Sequence, residues 1–322
     1  MPWTTSEQIY LGILCISLIA CILASGFLAS KSKSCYAHIV SQEIFVLDTQ
    51  DTNVEPNFKK NYKQIDQNVG KHTYKNDMTN INLSPKSWND LANYIVSLAD
   101  YDAIIIILSR ENLLYTAVAL SFIIENNNKP IILSSDSISA PLEKISSVQF
   151  PEVMIYDNGK LLRANRVQID KNKLISTYPA LTLENSFPKP ADMQNLKFFS
   201  TKVSVALVKQ DITQSILALP DTTQGIVIKS PNVNVDKTLL DVLKKIGKQG
   251  IVIVLTSDDP TISEIDPELT AAGILNGCGM TPTTAYIKLL FLLSHVPQRK
   301  LIGQIMDMDL RGEINPPPSS KK

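Results

Sequence analysis

Hydrophobic residues along this chain come as short unbroken runs separated by stretches of helical period, the rhythm of alternating strands and helices. Residues 43–47 (EIFVL), 103–108 (AIIIIL), 131–133 and 153–156 (VMIY) are brief runs rich in β-branched side chains. Runs of that kind suit strands buried on both faces of a parallel sheet. Ser84-Pro85 opens a helix, because serine caps well, proline suits the first turn, and Trp88, Leu91, Ala92, Ile95 and Leu98 follow at helical spacing. Residues 113–125 read as a second helix, and Asp157-Asn158-Gly159 as a tight turn. The second half repeats the rhythm, with strands over 203–208, 225–229 and 251–255 and a helix over 237–248. Residues 49–80 are polar and without a sustained period, so they read as loop. Pro179, Pro188 and Pro190 mark a link between two α/β domains. The core is expected to include Ile105, Ile107, Ile131, Val153, Val227, Val252 and Leu290.

One run is different. Residues 9–29 carry no charge, and as a helix they would rise about 31 Å, matching the roughly 30 Å hydrocarbon core of a bilayer. A cleaved signal peptide is the rival reading, with Ala24-Ser25-Gly26 as its cleavage site. The residues before the run include Glu7 and neither Lys nor Arg, which is not the basic start of a signal peptide. The run is therefore read as an uncleaved single-pass transmembrane helix binding membrane lipid. Lys31 and Lys33 follow it directly, so the positive-inside rule puts the rest of the chain on the cytoplasmic side, or the matrix side of a mitochondrial membrane.

Composition narrows the chemistry. The chain has 322 residues, 44% of them hydrophobic, enough for two cores. Its net charge is zero, which gives no footprint for nucleic acid, and clusters such as Lys244-Lys245 read as solvated faces. Four cysteines without a CxxC pair and three scattered histidines supply neither a disulfide framework, a metal site nor a cofactor motif. Cys35, just past the apolar run, reads as an inert thiol rather than a palmitoylation site.

Three segments then carry a resemblance. Asn276-Gly277-Cys278-Gly279-Met280-Thr281-Pro282 with the helix after it, and the late Leu310-Arg311-Gly312-Glu313, resemble the closing segments of the cytoplasmic-type L-asparaginases. Residues 101–125 resemble the family segment in which a buried strand meets a catalytic turn and a helix. In that family the turn reads His-Gly-Thr-Asp-Thr; here it is Leu108-Ser109-Arg110-Glu111-Asn112. The resemblance covers about residues 43–314.

It implies amide hydrolysis by a threonine in a Thr-Gly-Gly-Thr loop, here Thr49-Gln50-Asp51-Thr52. Thr52 falls on the nucleophile, but Gln50 and Asp51 put side chains where glycines allow close approach. The family's activating Thr-Asp pair and distant lysine fall on Arg110, Glu111 and Ile169, the last within Arg163-Ala164-Asn165-Arg166-Val167-Gln168-Ile169. Isoleucine cannot move a proton. The substrate-gripping serine falls on Asn80, and the Gly-x-Gly-Asn turn on Asn232-Val233-Asn234-Val235. Of the catalytic positions only Thr52 keeps its residue, and acid–base groups of this kind act as one unit.

The resulting expectation is an α/β, two-domain asparaginase-like fold with parallel-rich sheets behind one N-terminal transmembrane helix. Its parts are a tail 1–8, anchor 9–29, tether 30–42, larger domain 43–185, link 186–202, smaller domain 203–314 and disordered tail 315–322. The expected function is that of a catalytically inactive accessory subunit or scaffold, with protein partners in a membrane complex or a homo-oligomer. The alternatives are an amidohydrolase using Thr52, and a sensor of amino acids or dicarboxylates binding through Arg110 and Asn80. No catalytic residue is expected to be active.

Overall fold

The aliphatic runs of the first half lie side by side. β1 (Ile44–Asp48), β3 (Ala103–Ile107), β4 (Ile131–Ser134) and β5 (Val153–Asp157) are parallel neighbours; β2 (His72–Asn76) adds a parallel edge and β6 (Lys160–Arg163) an antiparallel one. The order is β2-β1-β3-β4-β5-β6. The structure is a computed structural model and describes residues 43–49, 72–76, 81–125, 127, 129–136, 139–145, 151–176, 196–209, 211–233, 235–257, 259 and 261–315. The apolar run 9–29, the tether, Thr52, Asn80 and the tail from 316 lie outside these residues. Among the described residues no helix is long and apolar enough to cross a membrane.

Alternation along the strands sorts side chains onto two faces. Phe45, Leu47, Ile104, Ile106, Ile131, Leu133 and Ile155 share one apolar cluster with α1 (Pro85–Ser97) and α2 (Arg110–Ile123). Ile44, Val46, Ile105, Ile107, Ile132 and Met154 face the other way, onto Leu142 and Ile145 of α3 (Ser139–Ile145). Burial on both faces is why these strands are unbroken hydrophobic runs. α1 begins as its sequence predicts: Ser84 accepts from the Ser87 amide, Pro85 occupies the first turn, and Trp88, Leu91, Ala92 and Ile95 are buried.

After β6 come a 3₁₀ turn (Ala164–Arg166) and a hairpin of β7 (Val167–Asp170) and β8 (Lys173–Ser176). A second sheet is fully parallel, in the order β12-β11-β10-β9, from β9 (Val205–Val208), β10 (Gly225–Lys229), β11 (Val252–Thr256) and β12 (Leu275–Asn276). One of its faces packs on α4 (Ile212–Leu217), α5 (Lys237–Lys248) and α6 (Pro267–Ala271) through Ile216, Leu239, Leu240, Leu243 and Leu269. The other face contributes Val227 and Val254 to the same cluster that fills the first sheet.

Helix α7 (Pro282–His295) makes that continuity possible, since it packs against α2 and against β9 and β10. It is apolar almost all round, as a helix enclosed between layers must be. Its charged exception is Lys288, which is 0% exposed and donates to the carbonyls of Met306, the last residue of α8 (Arg299–Met306), and of Met308 just beyond it. Its ammonium lies 2.8 Å from Glu313, also with no exposed side-chain surface. Glu313 in turn accepts from the amides of Leu310 and Arg311. Asn165 and Arg166 then reach the carbonyls of Arg311, Gly312 and Ile314, and Arg311 pairs with Glu125 at 2.7 Å. The Leu310-Arg311-Gly312-Glu313 segment is thus a clasp that binds to both the first half and α7. A second lysine acts similarly: buried Lys129 donates to the carbonyls of Leu98, Ala99 and Tyr101, closing the end of α1.

The structure corrects several expectations. Residues 72–76, expected within a loop, form β2, because parallel pairing to β1 supplies the backbone partners that the polar side chains do not advertise. Val252, expected in the core, is half-buried, since it is the first residue of β11 at the open end of the sheet. The expected link ends in structure: Phe199 is buried against Trp88 and Phe291, and Asn89 brackets its amide and carbonyl. Asn315, assigned to the tail, donates its amide to the Gly279 carbonyl.

Burial raises the Glu313 carboxyl, but the Lys288 ammonium and surrounding hydrogen bonds outweigh it and hold that group below the usual carboxylate range. Neighbouring Asp309 is pushed up, by burial and then by Glu313 itself. A depressed carboxyl contributes stability above its unfolded value and loses it as pH falls through its folded value. Lys288→Met should therefore cost about 3–5 kcal/mol at neutral pH by stranding a buried carboxylate. The deficit should shrink as pH falls below the ordinary glutamate range, where Glu313 is neutral in the variant. Urea denaturation at neutral and acid pH reads both effects, and an unchanged deficit at the two pH values contradicts them.

Candidate functional site

In an open α/β sheet, ligands bind outside the carboxyl ends of the strands, where neighbouring connections leave in opposite directions. In the order β2-β1-β3-β4 that point lies between the ends of β1 and β3. Thr49 follows β1 there, and both its amide and its hydroxyl donate to the Ile107 carbonyl, at 3.1 and 2.9 Å. The hydroxyl is buried and spent on holding the two strand ends together. Across the crevice, Ser109 caps α2 in an extended conformation with no side-chain hydrogen bond to the helix, and Arg110 and Glu111 form its first turn.

Arg110 turns away from an external ligand. One of its terminal nitrogens contacts Asp157 at 2.8 Å and the other donates to the Asn172 carbonyl at 3.3 Å. Asp157 ends β5, with a side chain 5% exposed, and its second oxygen accepts from Asn158. Asn172 sits at the β7–β8 turn, where Lys171 and Asn172 both take positive φ, as a two-residue hairpin turn requires. The guanidinium therefore spans from the head of α2, over the end of β4, to the end of β5 and a hairpin tip. Glu111 beside it is exposed.

Of the residues picked out by sequence, Arg110 and Glu111 stand together at this crevice. Ile169 lies on β7, in the hairpin that Arg110 fastens; the residue is 55% exposed and its side chain offers no proton-carrying group. Thr52, Asn80 and Asn234 lie outside the described residues; Val233 in the same turn has positive φ. Sequence reasoning missed Asp157 and Asn172. Asp157 was visible only as the first residue of a turn, and nothing local ties an aspartate to an arginine 47 positions earlier.

A second concavity, of about 1230 Å³, lies at the edge of β12 and α8, lined by Ile265, Leu275, Cys278, Lys300, Gln304 and Asp307 among others. Arg110, Asp157 and Ile169 do not line it. Burial pushes the Cys278 thiol up to about 11, so it is an unreactive wall group rather than a nucleophile. Among the described residues no cluster of side chains could hold a metal ion.

Comparison with known proteins places this geometry. The family model described as "Asparaginase, N-terminal" matches residues 18–178. The chain belongs to the asparaginase family. L-asparaginase 1 of Escherichia coli (strain K12) is 25% identical over 294 residues, spanning 76% of this chain and 84% of that protein. A glutamyl-tRNA(Gln) amidotransferase subunit of Pyrococcus abyssi is 24% identical over 282 residues, 73% of this chain and 64% of that longer protein. Among solved structures, L-asparaginase I from Vibrio cholerae superposes with a TM-score of 0.71 at 21% identity, covering 86% of this chain and all of the other. The thermostable L-asparaginase from Thermococcus kodakarensis gives 0.68 at 20%, covering 85% and 99%. At that identity the structural likeness speaks for the α/β fold.

The Arg110 bridge has a measurable role in local order. Its guanidinium side is 46% exposed, so solvent screens the pair, and Arg110→Met should cost only about 1 kcal/mol. Its main effect should be local: faster amide exchange at residues 171–173 while α7 stays protected. Equal exchange at the hairpin tip in both proteins contradicts the bridge.

Proposed function

We propose that this member of the asparaginase family does not hydrolyse asparagine and serves as a membrane-tethered accessory or scaffold subunit. The observation that carries the first half is the Arg110–Asp157 bridge. Where the family resemblance puts an activating hydroxyl and acid, this chain has a guanidinium spent on an internal carboxylate, with Glu111 exposed beside it. The position of the proton-carrying lysine is an exposed isoleucine, Ile169. A threonine hydroxyl needs a partner to remove its proton, and neither Arg110 nor Ile169 offers one.

Purified full-length chain supplied with asparagine or glutamine at millimolar concentration should release no ammonia above blank. Ile169→Lys alone should not restore turnover, because the groups of such a site act together. Turnover in the unmodified chain that disappears in Thr52→Ala overturns the proposal and establishes an amidohydrolase instead. The sensor alternative receives less support, since both outer nitrogens of Arg110 are already engaged.

The second half of the proposal is supported by the uncharged residues 9–29 followed by Lys31 and Lys33, and by relatives that are themselves named as subunits of an amidotransferase. The globular part then lies on the cytoplasmic or matrix side, available to protein partners or to further copies of itself. A chain anchored by one apolar helix should stay in the membrane pellet through alkaline carbonate extraction. Release into the supernatant contradicts the anchor.

A further inference from the structure

The ends of the second sheet are unequal in charge. Lys202, Lys245, Lys248 and Arg299 gather at the amino-terminal ends of its strands, away from the crevice side. Several contacts place them there. Gln224, just before β10, donates to the Lys202 carbonyl and accepts from the Val252 amide that starts β11. Lys248 is the last residue of α5, which delivers the chain to β11. α7 runs back to this same end, so that Arg299, opening α8, lies against Gly250; a Cβ built on Gly250 would sit 2.7 Å from its guanidinium. Lys244 stands one turn up α5. All five side chains are exposed, and among the described residues none makes an ion pair.

α5 itself is segregated. Leu239, Leu240 and Leu243 are buried, while Lys237, Lys244, Lys245 and Lys248 share the outer stripe with Asp241. Two exposed acids belong to the same elements, Asp241 on that stripe and Asp221 in the turn before β10. Lys300 lines the β12 groove with Glu264 and Asp307 and is not part of this face. A further feature sets the patch apart from an ordinary solvated surface. α8 starts with a cation of the patch, Arg299, at the positive end of its dipole, and its N-cap Gln298 gives no side-chain hydrogen bond. Cations there oppose the dipole, whereas an anion would be favoured.

We infer that this face docks on an anionic lipid surface. The choice of partner rests on the proposed tether: a chain held by residues 9–29, with Lys31 and Lys33 beside the run, keeps its globular part close to headgroups. A basic face in that position is drawn to a leaflet rich in phosphatidylserine, over a range of about one Debye length. The outward stripe of α5 supplies charge alone, as its leucines are committed to the core. The contact is therefore peripheral, reversible and sensitive to salt, and it would hold the crevice between β1 and β3 in one orientation relative to the membrane.

The test uses the full chain reconstituted into vesicles of phosphatidylcholine alone, or with phosphatidylserine, and footprinted by amine acetylation with mass spectrometry. Lys202, Lys245 and Lys248 should react roughly fivefold more slowly with phosphatidylserine present, the scale of one basic residue's attraction to an anionic surface. Lys86, exposed on α1, should be unchanged, and high salt should remove the difference. In the Lys245→Gln/Lys248→Gln/Arg299→Gln chain, Lys202 should lose its protection. Equal reaction rates in the two vesicle types overturn the inference, as does protection by added RNA that matches or exceeds protection by the anionic vesicles. Flotation with phosphatidylcholine vesicles reads the tether separately, so failure of the tether and failure of the patch give different results.

Discussion

The ion pair between Lys288 and Glu313 is the constraint around which the second half is arranged. A lysine within a helix enclosed between α2 and the second sheet has no water to turn to, so its charge must be met by protein. Glu313 meets it, and the segment carrying Glu313 is shaped to do so. Two backbone amides donate to the same carboxylate, Asp309 accepts from the Glu313 amide, and the carbonyls of Met306 and Met308 take the remaining ammonium protons. Arg166 and Asn165 then seize the carbonyls that this shape leaves pointing outward. A charge in α7 thereby determines the path of residues 306–314 and what the far edge of the first sheet touches.

Much of the fold was legible because its physics is local. A short, unbroken aliphatic run allows little except a strand with both faces covered, and 103–107 and 131–134 are such strands. The helix 237–248 was expected between two strand-like runs, and α7 was expected from the resemblance carried by residues 276–282. What escaped was structure that depends on a distant partner. β2 carries no apolar period and exists by pairing with β1, while β7 and β8 are held by a turn whose residues say little until their φ values are known. The candidate site divides in the same way. Arg110, Glu111 and Ile169 could be singled out by register, but the carboxylate that claims Arg110 could not, because a salt bridge across 47 residues leaves no mark in either local sequence.

The stretches that resemble asparaginases most closely turn out to perform structural work. Asn165, Arg166 and Lys288 bind the closing segment 306–314 across the molecule, and the Thr281 side chain caps the helix that carries Lys288. Thr284 extends the set by donating to the Asn165 carbonyl. Similarity concentrated in such contacts is what packing alone demands: altering one member strands a buried charge or an orphaned carbonyl. The head of α2 is under no such demand. Its residues could change, provided that the new ones found partners, and Arg110 found Asp157.

The position of α7 has a consequence for how the chain is made. Its side chains cover α2 and the inner face of the second sheet at once, and it is locked by residues 306–313. Synthesis delivers the first sheet early, yet the apolar face of α2 stays open until residues 282–313 have left the ribosome. On the proposed tether, the nascent chain carries that uncovered surface beside a membrane while it waits. Closure of the core belongs to the late stages of synthesis, and a ribosome that stalls before Glu313 leaves α2 and the second sheet without their shared helix.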